Sequence, residues 1–189
     1  MNDTPIVPPG APSPADLRRL ILPATALDEA ASVSLGKRAR ARMKACWLNA
    51  ARALAYAPPG TRYVEGFLLS PLGDKGPLLP HEHAFLLTAD GRVIDPTVAA
   101  NPDLTRTGGY TVGEVYASAP ASALERGEPS YGMRYTPRML AAQEAAHLVA
   151  FGQPGEDDAV TVARMRGVLR HSLPLYAREP WTDPLAEEV

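Results

Sequence analysis

The stretch His83-Ala84-Phe85-Leu86-Leu87-Thr88-Ala89-Asp90-Gly91-Arg92-Val93-Ile94-Asp95-Pro96-Thr97 decides how this chain is read. Two runs rich in apolar residues flank Asp90-Gly91, which is the pattern of a β-hairpin. The turn then determines which side chains meet. A two-residue Asp90-Gly91 turn pairs Leu86 with Asp95 and sends His83 to the opposite face, because side chains alternate along a strand. A three-residue loop, Ala89-Asp90-Gly91, pairs Phe85 with Asp95 instead. His83, Phe85, Leu87, Val93 and Asp95 then share a face, and Gly91 is placed to supply the left-handed residue such a loop requires. In that register His83 and Asp95 are diagonal cross-strand neighbours within side-chain reach.

Their partner is Cys46, the single cysteine among 189 residues, which precedes His83 by 37 positions. Cys, His and Asp are the parts of a thiol nucleophile, its base and the group that orients the base. Cys46 opens the segment CWLNAARALAY, whose apolar residues at 47, 50, 51, 54 and 55 have amphipathic-helix spacing, and Pro58-Pro59-Gly60 ends it. A cysteine at a helix start faces unpaired N–H groups and the positive end of the helix dipole, which favour a thiolate.

Outward from this core, RYVEGFLL over residues 62–69 reads as a strand, residues 70–80 as a loop, and Gly108 to Ala117 as a further strand. Pro137 to Phe151 reads as a helix started by Thr136 and Pro137. Asp158 to His171 reads as another, with Asp157 as cap. Ser13 and Pro14 open a short helix that should run to Leu22 and stop at Pro23. Lys37 to Lys44 (KRARARMK) places basic residues at 38, 40, 42 and 44. That period of two favours an extended segment with one basic face, although Ala and Arg also suit a helix.

The quoted segments resemble the transglutaminase-like branch of the papain-like cysteine enzymes. Cys46-Trp47 at a helix start, His83-Ala84-Phe85 on the next strand, Asp90-Gly91 and Asp95-Pro96-Thr97 match in type and order over roughly residues 40 to 100. The resemblance implies an α+β fold: a papain/transglutaminase-like core, with the Cys-bearing helix packed on an antiparallel β-sheet and additional C-terminal helices. It also implies a small bacterial or phage-type member in which Cys46 is nucleophile, His83 general base and acid, and Asp95 the orienting residue. The papain branch carries a Gln six residues before the Cys as oxyanion donor, and Arg40 stands there in this chain. The second donor falls to Trp47, Asn49 or a basic residue, with Glu65 as a further supporting residue of the site. Such an enzyme needs no cofactor. It acts on a protein, a peptide, or a small amide or ester through an acyl-enzyme, by hydrolysis, deamidation or transamidation. Two rivals stand beside it: a binding or structural protein that keeps the fold without turnover, and a metal protein using His81, His83 and Asp95, for which no fourth ligand motif is evident.

Composition narrows the classes. A net charge of −2 gives no overall attraction to nucleic acid or membrane surfaces, and no apolar run approaches the roughly 20 residues of a membrane span. One cysteine, with no basic-then-apolar leader, points to a reducing compartment, the bacterial cytoplasm. Residues 1–14, with five prolines, read as a flexible arm. Residues 15–173 read as one domain, and residues 174–189 as a Pro-rich tail that wraps the surface or frays.

Overall fold

The computed structural model describes residues 7–73, 76–131 and 136–186. The parts of the arm, of the segment read as a loop over 70–80 and of the tail at 1–6, 74–75 and 187–189 lie outside the described residues, and 70–71 and 78–80 are strand where the sequence reads as loop. The fold is mixed α+β. An antiparallel five-stranded sheet runs β1 (Ile21–Pro23), β5 (Gly109–Tyr116), β2 (Arg62–Pro71), β3 (Leu78–Leu87), β4 (Val93–Ile94). Just after β1, Leu27 bridges Val93 of β4 and the Asp28 N–H donates to the Val93 carbonyl at 2.8 Å. The two edges thus approach one another, and the sheet curls until it almost closes.

Side-chain alternation gives the curled sheet an inner and an outer face. Val64, Leu68, Phe85, Leu87, Val93, Tyr110 and Val112 pack together on the inner face. The outer face carries two patches. Tyr63, Ala84, Leu86 and Ile94 receive Ala50, Ala51 and Ala53 of α3 (Cys46–Leu54). Phe67 and Leu69 receive Met139, Ala142 and Ala146 of α5 (Pro137–Phe151). Small alanines let α3 lie close to the strands, so its first residue is held by packing along the helix.

The β3–β4 hairpin takes the three-residue form. Leu86 pairs with Ile94 and Leu87 with Val93, a register that brings Phe85 opposite Asp95. The Gly91 N–H closes the turn on the Thr88 carbonyl, and Gly91 has φ 81°. His83 and Asp95 accordingly belong to the same face.

Helix starts follow their caps. α1 (Pro14–Arg19) has Ser13 and Asp16 in a reciprocal capping box with proline at its first position. It stops three residues before the expected end at Leu22, because Ile21–Pro23 pairs with β5 as an edge strand, where a proline is tolerated. α2 (Glu29–Ala39), in a stretch without a clear sequence signal, starts on the Asp28 side chain. It corrects the reading of Lys37 to Lys44 as extended. Lys37 and Arg38 complete α2, Arg40 caps it in the left-handed region at φ 54°, and a turn leads to α3. Helix propensity of Ala, Lys and Arg, carried on from a capped start, outweighs a period of two over only four positions.

After the short α4 (Ala121–Glu125), the C-terminal part forms a helical layer of α5, α6 (Asp158–Val168) and α7 (Pro174–Arg178). Inside it Arg166 donates through Nε (3.1 Å) and Nη2 (2.8 Å) to Glu144 Oε2, and Nη2 also donates to the Pro12 carbonyl at 2.7 Å. Both charged residues are buried. The described part of the N-terminal arm is therefore docked on this layer, and the Trp181 N–H in the tail donates to the Gly10 carbonyl. The described part of the tail lies on the surface, beginning as α7 with Tyr176 fully buried. No helix among the described residues is long and apolar enough to cross a membrane.

Gly66 faces His83 across β2 and β3, at a bulge in the β2–β5 register. A Cβ there would lie 1.9 Å from the Thr111 carbonyl oxygen. Gly66→Ala should therefore lower the stability by about 2 kcal/mol or more, since the β5 backbone must move. Urea unfolding measures this, and a change below about 0.5 kcal/mol would contradict the crowding.

Candidate active site

Cys46 occupies the first position of α3, preceded by Ala45, which provides no side-chain cap. The first intrahelical bond of the helix runs from the Asn49 N–H to the Ala45 carbonyl, so the N–H groups of Cys46, Trp47 and Leu48 precede the helical ladder. β4 is two residues long and pairs only with Leu86 and Leu87, so no strand flanks β3 on that side at His83. The Cys46 side chain lies beside the His83 imidazole there, near enough to act on its charge. The other ring nitrogen, Nε2, lies 2.8 Å from Asp95 Oδ2. Since a carboxylate only accepts, Nε2 donates, which leaves Nδ1 for the sulfur. The three residues read from the sequence as a triad thus come together, at 7%, 6% and 0% exposure.

Asp95 is the most constrained of the three. Its Oδ2 accepts from His83 and from the Tyr110 hydroxyl at 3.2 Å, and its Oδ1 from the Thr97 N–H at 3.0 Å. Its own N–H donates to Ser32 Oγ at 2.9 Å, and that hydroxyl donates to the Asp28 carbonyl. Aspartate before Pro96 caps a single 3-10 turn, Pro96–Ala99, so the side chain is locked where the hairpin ends. Tyr110 closes the inner face behind the pair, its ring 6.3 Å from the imidazole and 5.0 Å from Phe85.

Burial works against a charged imidazole, but the Asp95 carboxylate first, and the Cys46 side chain after it, outweigh it. His83 is pushed up to about 10. The ring therefore holds its proton through neutral pH. Tyr110 is pushed upward as a phenol, by burial first and then by the Asp95 charge, so it remains a neutral donor.

Asn49 lies one turn into α3. Its amide nitrogen donates to the Arg42 carbonyl (2.7 Å) and to Thr97 Oγ1 (3.2 Å), and its oxygen accepts from the Arg42 N–H (3.0 Å). Both ends of the amide are committed, so Asn49 is a positioning residue that ties the nucleophile helix to the Asp95 turn. Trp47 packs on the α2–α3 cluster with its Nε1 buried and without a hydrogen-bond partner. Glu65 is fully buried, where a half-exposed strand carboxylate is the ordinary expectation. It points to the outer face, accepting from the Tyr63 hydroxyl and from Ser130 N and Oγ. Burial, the largest influence, raises Glu65 above the usual carboxylate range in spite of those donors. Arg40 caps α2 and is exposed.

His81 shares the inner-face parity of His83 but is exposed, and His83 Nε2 is already engaged by Asp95. Among the described residues no group of three or more His, Cys, Asp or Glu is arranged to hold a metal ion. Ser32, Thr97 and Tyr110 escaped the sequence reading as site residues. Only Thr97 carried a signal, since Asp-Pro-Thr is an Asx-turn pattern. Tyr110 reaches Asp95 across the curl of the sheet, from a strand whose register the sequence did not provide.

No family model, curated protein or solved structure matches the chain.

A folded-state value of about 10 exceeds the ~6.5 of an unfolded histidine. The proton on His83 thus stabilises the fold: the contribution is complete below about pH 6.5 and is lost as pH rises through about 10. An NMR titration of the His83 ring should show imidazolium at neutral pH, and Asp95→Asn should lower its midpoint. A neutral His83 ring at pH 7 would contradict the arrangement.

Proposed function

We propose that the protein is a thiol-dependent acyl-transfer enzyme with a papain/transglutaminase-like core. The observation that carries this reading is one buried imidazole held between the Asp95 carboxylate and the Cys46 sulfur. A histidine placed between two such groups has one nitrogen fixed and the other facing a nucleophile, which is the division of labour in triads on unrelated folds.

The chemistry follows from where the proton rests. With the ring protonated, Cys46 Sγ attacks the carbonyl carbon of an amide or ester as thiolate and forms the S–C bond. The oxyanion that develops lies beside the N terminus of α3, where the Cys46 N–H is one donor. Among the side chains named from the sequence, Trp47 Nε1 is uncommitted, while Asn49 is occupied. Collapse of the tetrahedral species breaks the C–N or C–O bond, and His83 delivers its proton to the departing amine or alcohol. Water or an amine then gives a proton back to His83 as it attacks the thioester, releasing an acid or a new amide and restoring the pair. Asp95 keeps the ring in one orientation through both halves. Peptide hydrolysis, deamidation and transamidation share this first half.

Two measurements test the reading. Cys46 is the only cysteine, so intact-mass labelling with iodoacetamide reports on it alone. At about pH 6, well below the ~8.5 of an ordinary thiol, the native protein should label, and His83→Ala should slow labelling at least tenfold. With p-nitrophenyl acetate, one acetyl group should accumulate on Cys46, and Cys46→Ala should lose the burst completely. Labelling only after unfolding would leave a non-catalytic binding role as the surviving reading.

A further inference from the structure

The small net charge conceals a strong asymmetry. Residues 30–64 hold seven Lys and Arg and no Asp or Glu, whereas the remaining chain holds twelve against twenty-one. In the fold this segment runs from the first turn of α2 through the turn and α3, the element that carries Cys46, to the start of β2. Arg38, Arg40, Arg42 and Arg52 line one groove of about 630 Å³ together with Tyr56 and Leu124. All four arginines are exposed. None of these four takes part in an ion pair found among the described residues. Arg38 lies 4.5 Å above the Tyr56 ring, which holds the guanidinium at the groove without neutralising it.

Four like charges in one groove repel one another, so a ligand of opposite charge gains from all of them. Guanidinium forks match carboxylates bidentately. Tyr56 and Leu124 add apolar surface that a free inorganic anion would not use. The groove also has a fixed relation to the nucleophile. Arg52 is six residues along α3 from Cys46, a rise of about 9 Å at 1.5 Å per residue and about 120° round the helix axis, and the Arg42 backbone is held by Asn49. An extended peptide advances about 3.3 Å per residue, so three or four residues span that distance.

We propose that this groove binds an acidic peptide segment, seating substrate glutamate or aspartate side chains a few residues from the acyl group that Cys46 attacks. The choice of a peptide rests on the acyl-transfer reading, but binding can be measured without turnover.

The test is fluorescence anisotropy with a fluorescein-labelled hexaglutamate peptide, using the Cys46→Ala protein so that chemistry cannot intervene. Binding should appear at low ionic strength and weaken with added salt. Arg38→Gln/Arg52→Gln should weaken it about tenfold, as expected for two exposed charge contacts. Arg170→Gln/Arg178→Gln, on the helical layer, should leave it unchanged. Circular dichroism confirms that each variant is folded, and the single Arg52→Gln variant should give an intermediate loss. Equal binding by the Cys46→Ala protein with and without the Arg38/Arg52 substitutions, or no binding, overturns the proposal while leaving the acylation experiments untouched. Tighter binding of a single-stranded oligonucleotide than of the peptide, or full competition by inorganic phosphate at equal charge concentration, overturns the assignment to a peptide.

Discussion

A carboxylate with no exposure to water must be matched by donors, and Asp95 is the point from which the centre of this protein is organised. Three donors converge on it: an imidazole from β3, a phenol from β5 and a backbone N–H from its own turn. Its backbone is held separately by a hydroxyl from α2. Each comes from a different part of the chain, so the curl of the sheet, the hairpin register and the seat of α2 must be right together. Removing a single donor leaves charge in the core less compensated, a far larger penalty than loss of one surface contact.

The same turn anchors the nucleophile. Thr97, two residues after Asp95, accepts from Asn49 of α3, so the helix bearing Cys46 and the residue orienting His83 share a support. The open edge beside the short β4 then lets a group on a helix packed outside the sheet meet an imidazole whose strand parity is inward. Neither the helix nor the hairpin could make this site alone. Proximity of sulfur and ring is a property of the tertiary fold, with alanine packing setting one coordinate and the Asp95 turn the other.

Much of this was legible because it is local. Alternation and Gly91 decide the hairpin register, and with it whether His83 and Asp95 can meet. Prolines and capping side chains mark the starts of α1, α5 and α6. What escaped depends on distant parts of the chain. α2 lacks strong apolar periodicity and is completed by packing against the turn after Asp95, so Lys37 to Lys44 read as extended. Ile21–Pro23 becomes a strand only because β5 offers an edge. Tyr110 and Ser32 enter the site from separations of 15 and 63 residues, where no short motif can reveal them. Glu65 looks like an ordinary strand carboxylate until the Ser130 loop folds over it.

The buried pair of Glu144 and Arg166 has a consequence for how such a chain can change over generations. The two positions are 22 residues apart, and the guanidinium also holds the Pro12 carbonyl. Losing either charge alone strands the other in an apolar layer, whereas replacing both by well-packed apolar residues is far less costly. Drift at these sites is therefore expected in pairs. The segment around Pro12, held by its backbone and not by its side chain, is free to vary in residue type but not in path. Insertions and deletions near the start of the chain are thus filtered more strictly than substitutions.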